Sequence, residues 1–263
     1  MAEPIDYTAF DLPQISEVMF YPQRVWGPPP EGASDHMIPV ADGVLVSGRF
    51  YPKDKALPSI LFFHGNGEVA CQYDDIAPHY NAAGANLFVV DYRGYGRSKG
   101  GVPSFSRMIA DARACYGYFK EMLASQAFTG PRFVKGRSLG CQSAVEVAAR
   151  FQGELRGVIS ESGAAATERT AKRWGLDLDT PALREMVRLH REKVRSITLP
   201  LLVIHGEMDE LIPVETAMEL YNTVGSQDKT IEIIPQAGHN DLLWLGFQQY
   251  FDAVRSFLTK HGQ

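Results

Sequence analysis

The stretches "SILFFHG", "NLFVVDYRG", "RFVKG", "GVISES", "LLVIHG" and "TIEIIP" are short, unbroken apolar runs, and most are separated by segments with helical spacing. A strand with one wet face alternates apolar and polar residues, whereas a strand that is apolar throughout must be covered on both faces. The pattern therefore predicts an α/β protein with a mostly parallel, doubly wound central sheet and helices on both sides. The helices are expected at "SFSRMIADARACYGYFKEMLAS", "LGCQSAVEVAARF", "VETAMELYNTV" and a last one over "LLWLGFQQYFDAVRSFLTK", where apolar residues recur at three and four. Ahead of these, "HMIPVA" and "VLVSGRFY" flank Asp42-Gly43, a pair that favours a tight hairpin turn, so an antiparallel strand pair is expected near the N-terminus.

Bulk properties narrow the function classes. With 263 residues, 45% of them hydrophobic, the chain can bury a sizeable core and reads as a single domain over 1–263. The 26 Lys and Arg against 31 Asp and Glu give a net charge of -5, and no basic block occurs, which argues against nucleic acid as a partner. Cys71, Cys115 and Cys141 are far apart and form no Cys-x-x-Cys pair, so neither a disulfide framework nor a zinc site is expected. The start, "MAEPIDYTAF", lacks a basic then apolar leader, and no run of about 18 apolar residues suggests an integral membrane segment. A cytoplasmic protein is the expectation.

One serine stands between two glycines at Gly136-Arg137-Ser138-Leu139-Gly140, and it falls where the strand "RFVKG" meets the helix "LGCQSAVEVAARF". The five-residue pattern alone is a weak signal, since such a serine often only caps its helix. At a strand-to-helix turn, however, a strained serine needs small neighbours, and the turn lifts its hydroxyl clear of the sheet. The helix N-terminus then aims free N–H groups and partial positive charge at whatever the serine attacks.

A hydroxyl is a weak nucleophile near neutrality, so it needs a base, and the base needs an acid to fix its tautomer. His261 is third from the end, whereas His239, in "IIPQAGHND", follows the last strand and precedes the last helix. His239 is the candidate base. Asp209, in "LLVIHGEMDELIP", lies just past a strand and is the candidate acid; Glu161, in "ISESGAA", is the alternative. Ser138, Asp209 and His239 all fall beyond the carboxyl ends of parallel strands, where open α/β sheets carry their sites.

Taken with "FFHGNGE", "VVDYRGYGRSKG", "GRSLG", "SESGAA", "HGEMDELIP" and "AGHND", the chain resembles the serine α/β-hydrolase superfamily, in its Bem46-type and ABHD13-like branch, over most of its length. The resemblance implies the α/β-hydrolase fold. It also implies an oxyanion hole made by the backbone N–H groups of Asn66 and Leu139, with His64 a structural loop residue and Asp91 and Arg93 as braces. Serine at the elbow disfavours aspartate-nucleophile dehalogenases and epoxide hydrolases, and a dienelactone-type enzyme would carry cysteine there.

A short helical cap is expected at about 164–196, with a helix starting at Thr180-Pro181 and an apolar face of Leu183, Met186, Val187, His190 and Val194. That face either packs as core or roofs an acyl pocket. Arg137 and Glu68 are expected at the rim of the substrate pocket, or else as braces. The expected chemistry is two-step acyl transfer to water by a carboxylesterase-like serine hydrolase acting on a small or medium acyl ester. It requires no metal and no organic cofactor. Thioesterase or depalmitoylase-like activity is the alternative, amides are not separated from esters by sequence, and a catalytically silent binding protein is the reading from another class.

Overall fold

Each central strand feeds two cores. In the computed structural model, which describes residues 5–164 and 180–262, strand β3 (Ser59–Phe63) directs Leu61 and Phe63 to one side of the sheet and Ile60 and Phe62 to the other. Strands β4 (Asn86–Val90) and β7 (Leu201–Gly206) divide their side chains in the same way. The period-two geometry of a strand thus explains why these runs are apolar without interruption.

The sheet has eight strands in the order β1-β2-β4-β3-β5-β6-β7-β8. Strands β1 (Ser34–Ala41) and β2 (Val44–Tyr51) form the expected hairpin around Asp42-Gly43, and β2 runs antiparallel to β4. From β4 onward, through β5 (Arg132–Arg137), β6 (Gly157–Glu161), β7 and β8 (Lys229–Ile234), every pairing is parallel. All these strands therefore end at one edge, and the loops leaving them converge there.

Helices cover both faces. On one side lie α1 (Pro13–Met19), α3 (Phe105–Ser125), α4 (Gly140–Arg150), α5 (Pro181–Arg195) and α6 (Val214–Thr223). On the other lie α2 (Ala77–Ala82), α7 (Leu242–Leu245) and α8 (Phe247–His261). Helix α5 starts as expected: the Thr180 hydroxyl accepts from the Leu183 N–H at 3.4 Å with Pro181 in the first turn. Its Leu183, Met186 and Val194 join the core of the first face. The remainder of the expected cap, residues 165–179, lies outside the described residues.

The last helix departs from expectation. One continuous helix is predicted from Leu242, but the chain breaks at Gly246 into α7 and α8. A Cβ at 246 would stand 2.3 Å from Cγ2 of Ile234, so close packing against β8 admits only glycine there. Among the described residues, no helix is long and apolar enough to cross a membrane.

Candidate active site

The turn between β5 and α4 holds Ser138 at φ +49°, in the left-handed region that a side chain normally avoids. The turn is fixed from both sides, by the Ser138 N–H donating to the Glu161 carbonyl at 2.9 Å and the Cys141 N–H donating to the Ser138 carbonyl at 3.0 Å. Both flanking glycines are sterically required. A Cβ on Gly136 would lie 2.5 Å from Cα of Cys141, and one on Gly140 would lie 2.1 Å from the Phe63 carbonyl oxygen. With both side chains missing, the helix N-terminus sits close against β3 and β5, and Ser138 stands at the top of the sheet.

His239 arrives from the loop after β8. Its Nε2 is 2.9 Å from Ser138 Oγ, and its Nδ1 is 2.7 Å from Oδ2 of Asp209, which comes from the loop after β7. With the Nδ1 proton donated to the carboxylate, Nε2 is left as the acceptor facing the serine hydroxyl. Asp209 is buried, and burial alone would push its carboxyl up. The bonds from His205, from His239 and from the Ile212 N–H outweigh that effect and hold it well below the ordinary carboxylate range. Oδ1 also accepts from the Leu211 N–H at 3.0 Å, so both carboxylate oxygens are fixed in direction.

Asn66 lies in the loop after β3. Its side-chain Oδ1 accepts from the Tyr21 N–H at 2.8 Å and from the Tyr95 hydroxyl at 2.7 Å, which anchors the loop. Among the described residues no acceptor takes the backbone N–H of Asn66 or of Leu139. The histidine before it, His64, is fully buried, with Nδ1 2.8 Å from the Gly65 carbonyl and Nε2 3.1 Å from Asp91. Asp91 also accepts from the Ala70 N–H at 2.8 Å and from the Ser47 hydroxyl, while Arg93 is held by Asp111 through two bonds of 2.7 Å. These groups brace the loops.

Arg137 and Glu68 meet each other. They line a cavity of about 230 Å³ together with Tyr73, Tyr80, Asn240 and Tyr250, beside the serine and histidine loops. Glu161, the alternative acid, faces into this region: its carboxylate takes Lys135, Arg137 at 3.1 Å and the Tyr250 hydroxyl at 2.7 Å. Burial would raise its pKa, but Lys135 and then Arg137 hold it down at about 2. The pairing of Lys135 and Arg137 with Glu161 is not among the expected contacts. Its one legible signal is a lysine in the middle of "RFVKG", a charge inside a strand buried on both faces, which requires a buried partner.

Cys141 is buried and its pKa is pushed up to about 11, chiefly by burial, so it stays protonated near neutrality. Among the described residues no group of three or more His, Cys, Asp or Glu side chains is arranged to hold a metal ion.

Solved structures share this arrangement of elements. The Hydrolase_4 family, described as serine aminopeptidase S33, matches residues 54–190 and 180–243. The chain is 28% identical to the bem46 protein of Schizosaccharomyces pombe over 210 residues, 78% of this chain and 68% of that protein. It is 26% identical to a monoacylglycerol lipase of Mycolicibacterium smegmatis over 278 residues, 87% of this chain and 98% of the lipase. Among solved structures it is similar to an esterase of Pyrococcus furiosus, with a TM-score of 0.73 at 21% identity over 91% of this chain and 98% of that one. The family match takes in well over half of the chain, and by it the protein belongs to the serine α/β-hydrolases, as a Bem46-like member.

Proposed function

We propose that the protein is a carboxylesterase-type hydrolase that cleaves small or medium acyl esters through Ser138, His239 and Asp209. The observation that carries this reading is the continuous hydrogen-bonded line from Asp209 through His239 to Ser138, 2.7 and then 2.9 Å, ending on a serine in a strained turn. In the proposed mechanism His239 Nε2 takes the hydroxyl proton as Ser138 Oγ attacks the ester carbonyl, and Asp209 stabilises the imidazolium so formed. The backbone N–H groups of Asn66 and Leu139 receive the oxyanion, helped by the N-terminal end of α4. Collapse expels the alcohol with the proton from His239. Water then attacks the acyl-enzyme by the same route and restores the serine.

A specific observation favours a second substrate class. Next to Asp209 the side chain of Met208 is 61% exposed, and five residues after His239 Trp244 is 88% exposed, so apolar surface adjoins both loops. Together with the likeness to a monoacylglycerol lipase, this favours a lipid monoester. A series of p-nitrophenyl esters from acetate to palmitate, with thioester and anilide analogues in parallel, separates the two. Highest kcat/KM at short or medium acyl length, with no jump when substrate droplets form, is the expected result. A maximum at palmitate, or a jump at the solubility limit, transfers the assignment to lipid esters. No turnover of any member, together with failure to react with a fluorophosphonate, contradicts both and leaves a binding protein.

A further inference from the structure

Arg137 fills the position directly before Ser138, and its side chain is 12% exposed although it carries a full charge. Its guanidinium touches two loops and the end of a strand. Nη1 pairs with Glu68 of the loop after β3, Nε donates to Glu161 at the end of β6 at 3.1 Å, and Nη2 donates to the His239 carbonyl at 3.0 Å and to Asn240 Oδ1 at 2.9 Å. Glu68 passes the connection on: its Oε2 accepts from the Gly65 N–H at 2.8 Å and the Tyr73 hydroxyl at 2.6 Å. A Cβ on Gly65 would meet Arg137 Nη1 at 2.5 Å, so the loop that carries Asn66 lies directly on the guanidinium.

We propose that Arg137 is a positioning residue for the reaction, a clamp that sets the distance between the Asn66 N–H, Ser138 and the His239 ring. The inference rests on the proposed triad. Its physical basis is the planar guanidinium, whose donors lie in a fixed fork and therefore fix the relative placement of the acceptors that they bind. Glu161 anchors the fork from below, since it is itself held by Lys135 and Tyr250. Lysine in place of Arg137 keeps a positive charge between Glu68 and Glu161, but a single ammonium lacks the planar fork that joins the two loops to the end of β6.

The clamp acts on geometry that matters in the transition state, so its loss slows the chemical step rather than weakening ground-state binding. The test uses the fluorophosphonate reaction, which needs no known substrate, with the maximal rate and the half-saturating concentration determined separately. Arg137→Lys is expected to lower the maximal rate about 10- to 100-fold, Arg137→Met more, both with half-saturation within about twofold of wild type and with melting measured alongside. Glu68→Gln, which weakens the same link from the other side, is expected to slow the reaction too, and with Arg137→Lys it carries the test should Arg137→Met not fold. Folded Arg137→Lys reacting within about twofold of the wild-type rate, or slowed only through half-saturation, overturns the clamp. Wild type that takes no probe at Ser138 overturns the triad itself, whereas labelled wild type with unslowed variants overturns the clamp alone.

Discussion

Asp209 and His239 stand in loops after neighbouring strands and meet at 2.7 Å, Oδ2 to Nδ1, with the carboxylate buried. The pair fixes which imidazole nitrogen faces Ser138. In the proposed mechanism, replacing the carboxylate by an amide removes the charge that would stabilise the imidazolium and lets the ring adopt the other tautomer. Asp209→Asn is therefore expected to lower kcat on the order of 10³- to 10⁴-fold with little change in KM. Steady-state kinetics check this; a loss below tenfold would move the acid role elsewhere.

Glu161 serves stability through a depressed pKa. Its carboxyl is held at about 2 in the folded protein against an ordinary 4.5, so it binds fewer protons than the unfolded chain between these values. A depressed folded pKa gives stability that is complete above the unfolded value and disappears as the pH falls through the folded one. This contribution is lost as the pH falls from about 4.5 to 2. Asp209, also depressed, adds in the same direction. Urea denaturation from pH 7 down to pH 2 checks the slope. Glu161→Gln is expected to flatten it and to destabilise the protein at neutral pH, because Lys135 and Arg137 are left without their buried partner.

Gly140→Ala is expected to damage fold and activity together. Its Cβ would collide with backbone, the Phe63 carbonyl at 2.1 Å and the His64 carbonyl at 2.6 Å, and no flexible side chain is there to move away. The cost is about 1–3 kcal/mol with displacement of the elbow. A melting temperature and probe-labelling rate equal to wild type would show that the turn tolerates the contact.

The readable parts of this molecule are those that local pattern determines. The strands around Leu61, Val89 and Val203 show in sequence because both of their faces are buried, and the elbow shows because Gly136 and Gly140 have no alternative residue. The break at Gly246 is hidden because apolar periodicity continues across it, and the contact that requires glycine there, with Ile234, lies in another element. Helices α1 and α2 are too short to establish a period. Of the site, Ser138 and His239 follow from their turns. The partners of Arg137 do not, because Glu68, Glu161 and Asn240 are 69, 24 and 103 residues away and only the crossovers of the sheet bring them together. In sequence an arginine beside Ser138 reads as a rim residue or a brace, and neither reading names the groups that its mostly buried side chain pairs with.

Mass spectrometry of the protein after reaction with a fluorophosphonate identifies the reacting side chain. A single adduct on Ser138 is expected, together with a Ser138→Ala variant that stays folded but takes no probe and turns over no ester. An adduct on another serine, such as Ser162 or Ser98, or ester turnover persisting in Ser138→Ala, would contradict Ser138 as the nucleophile.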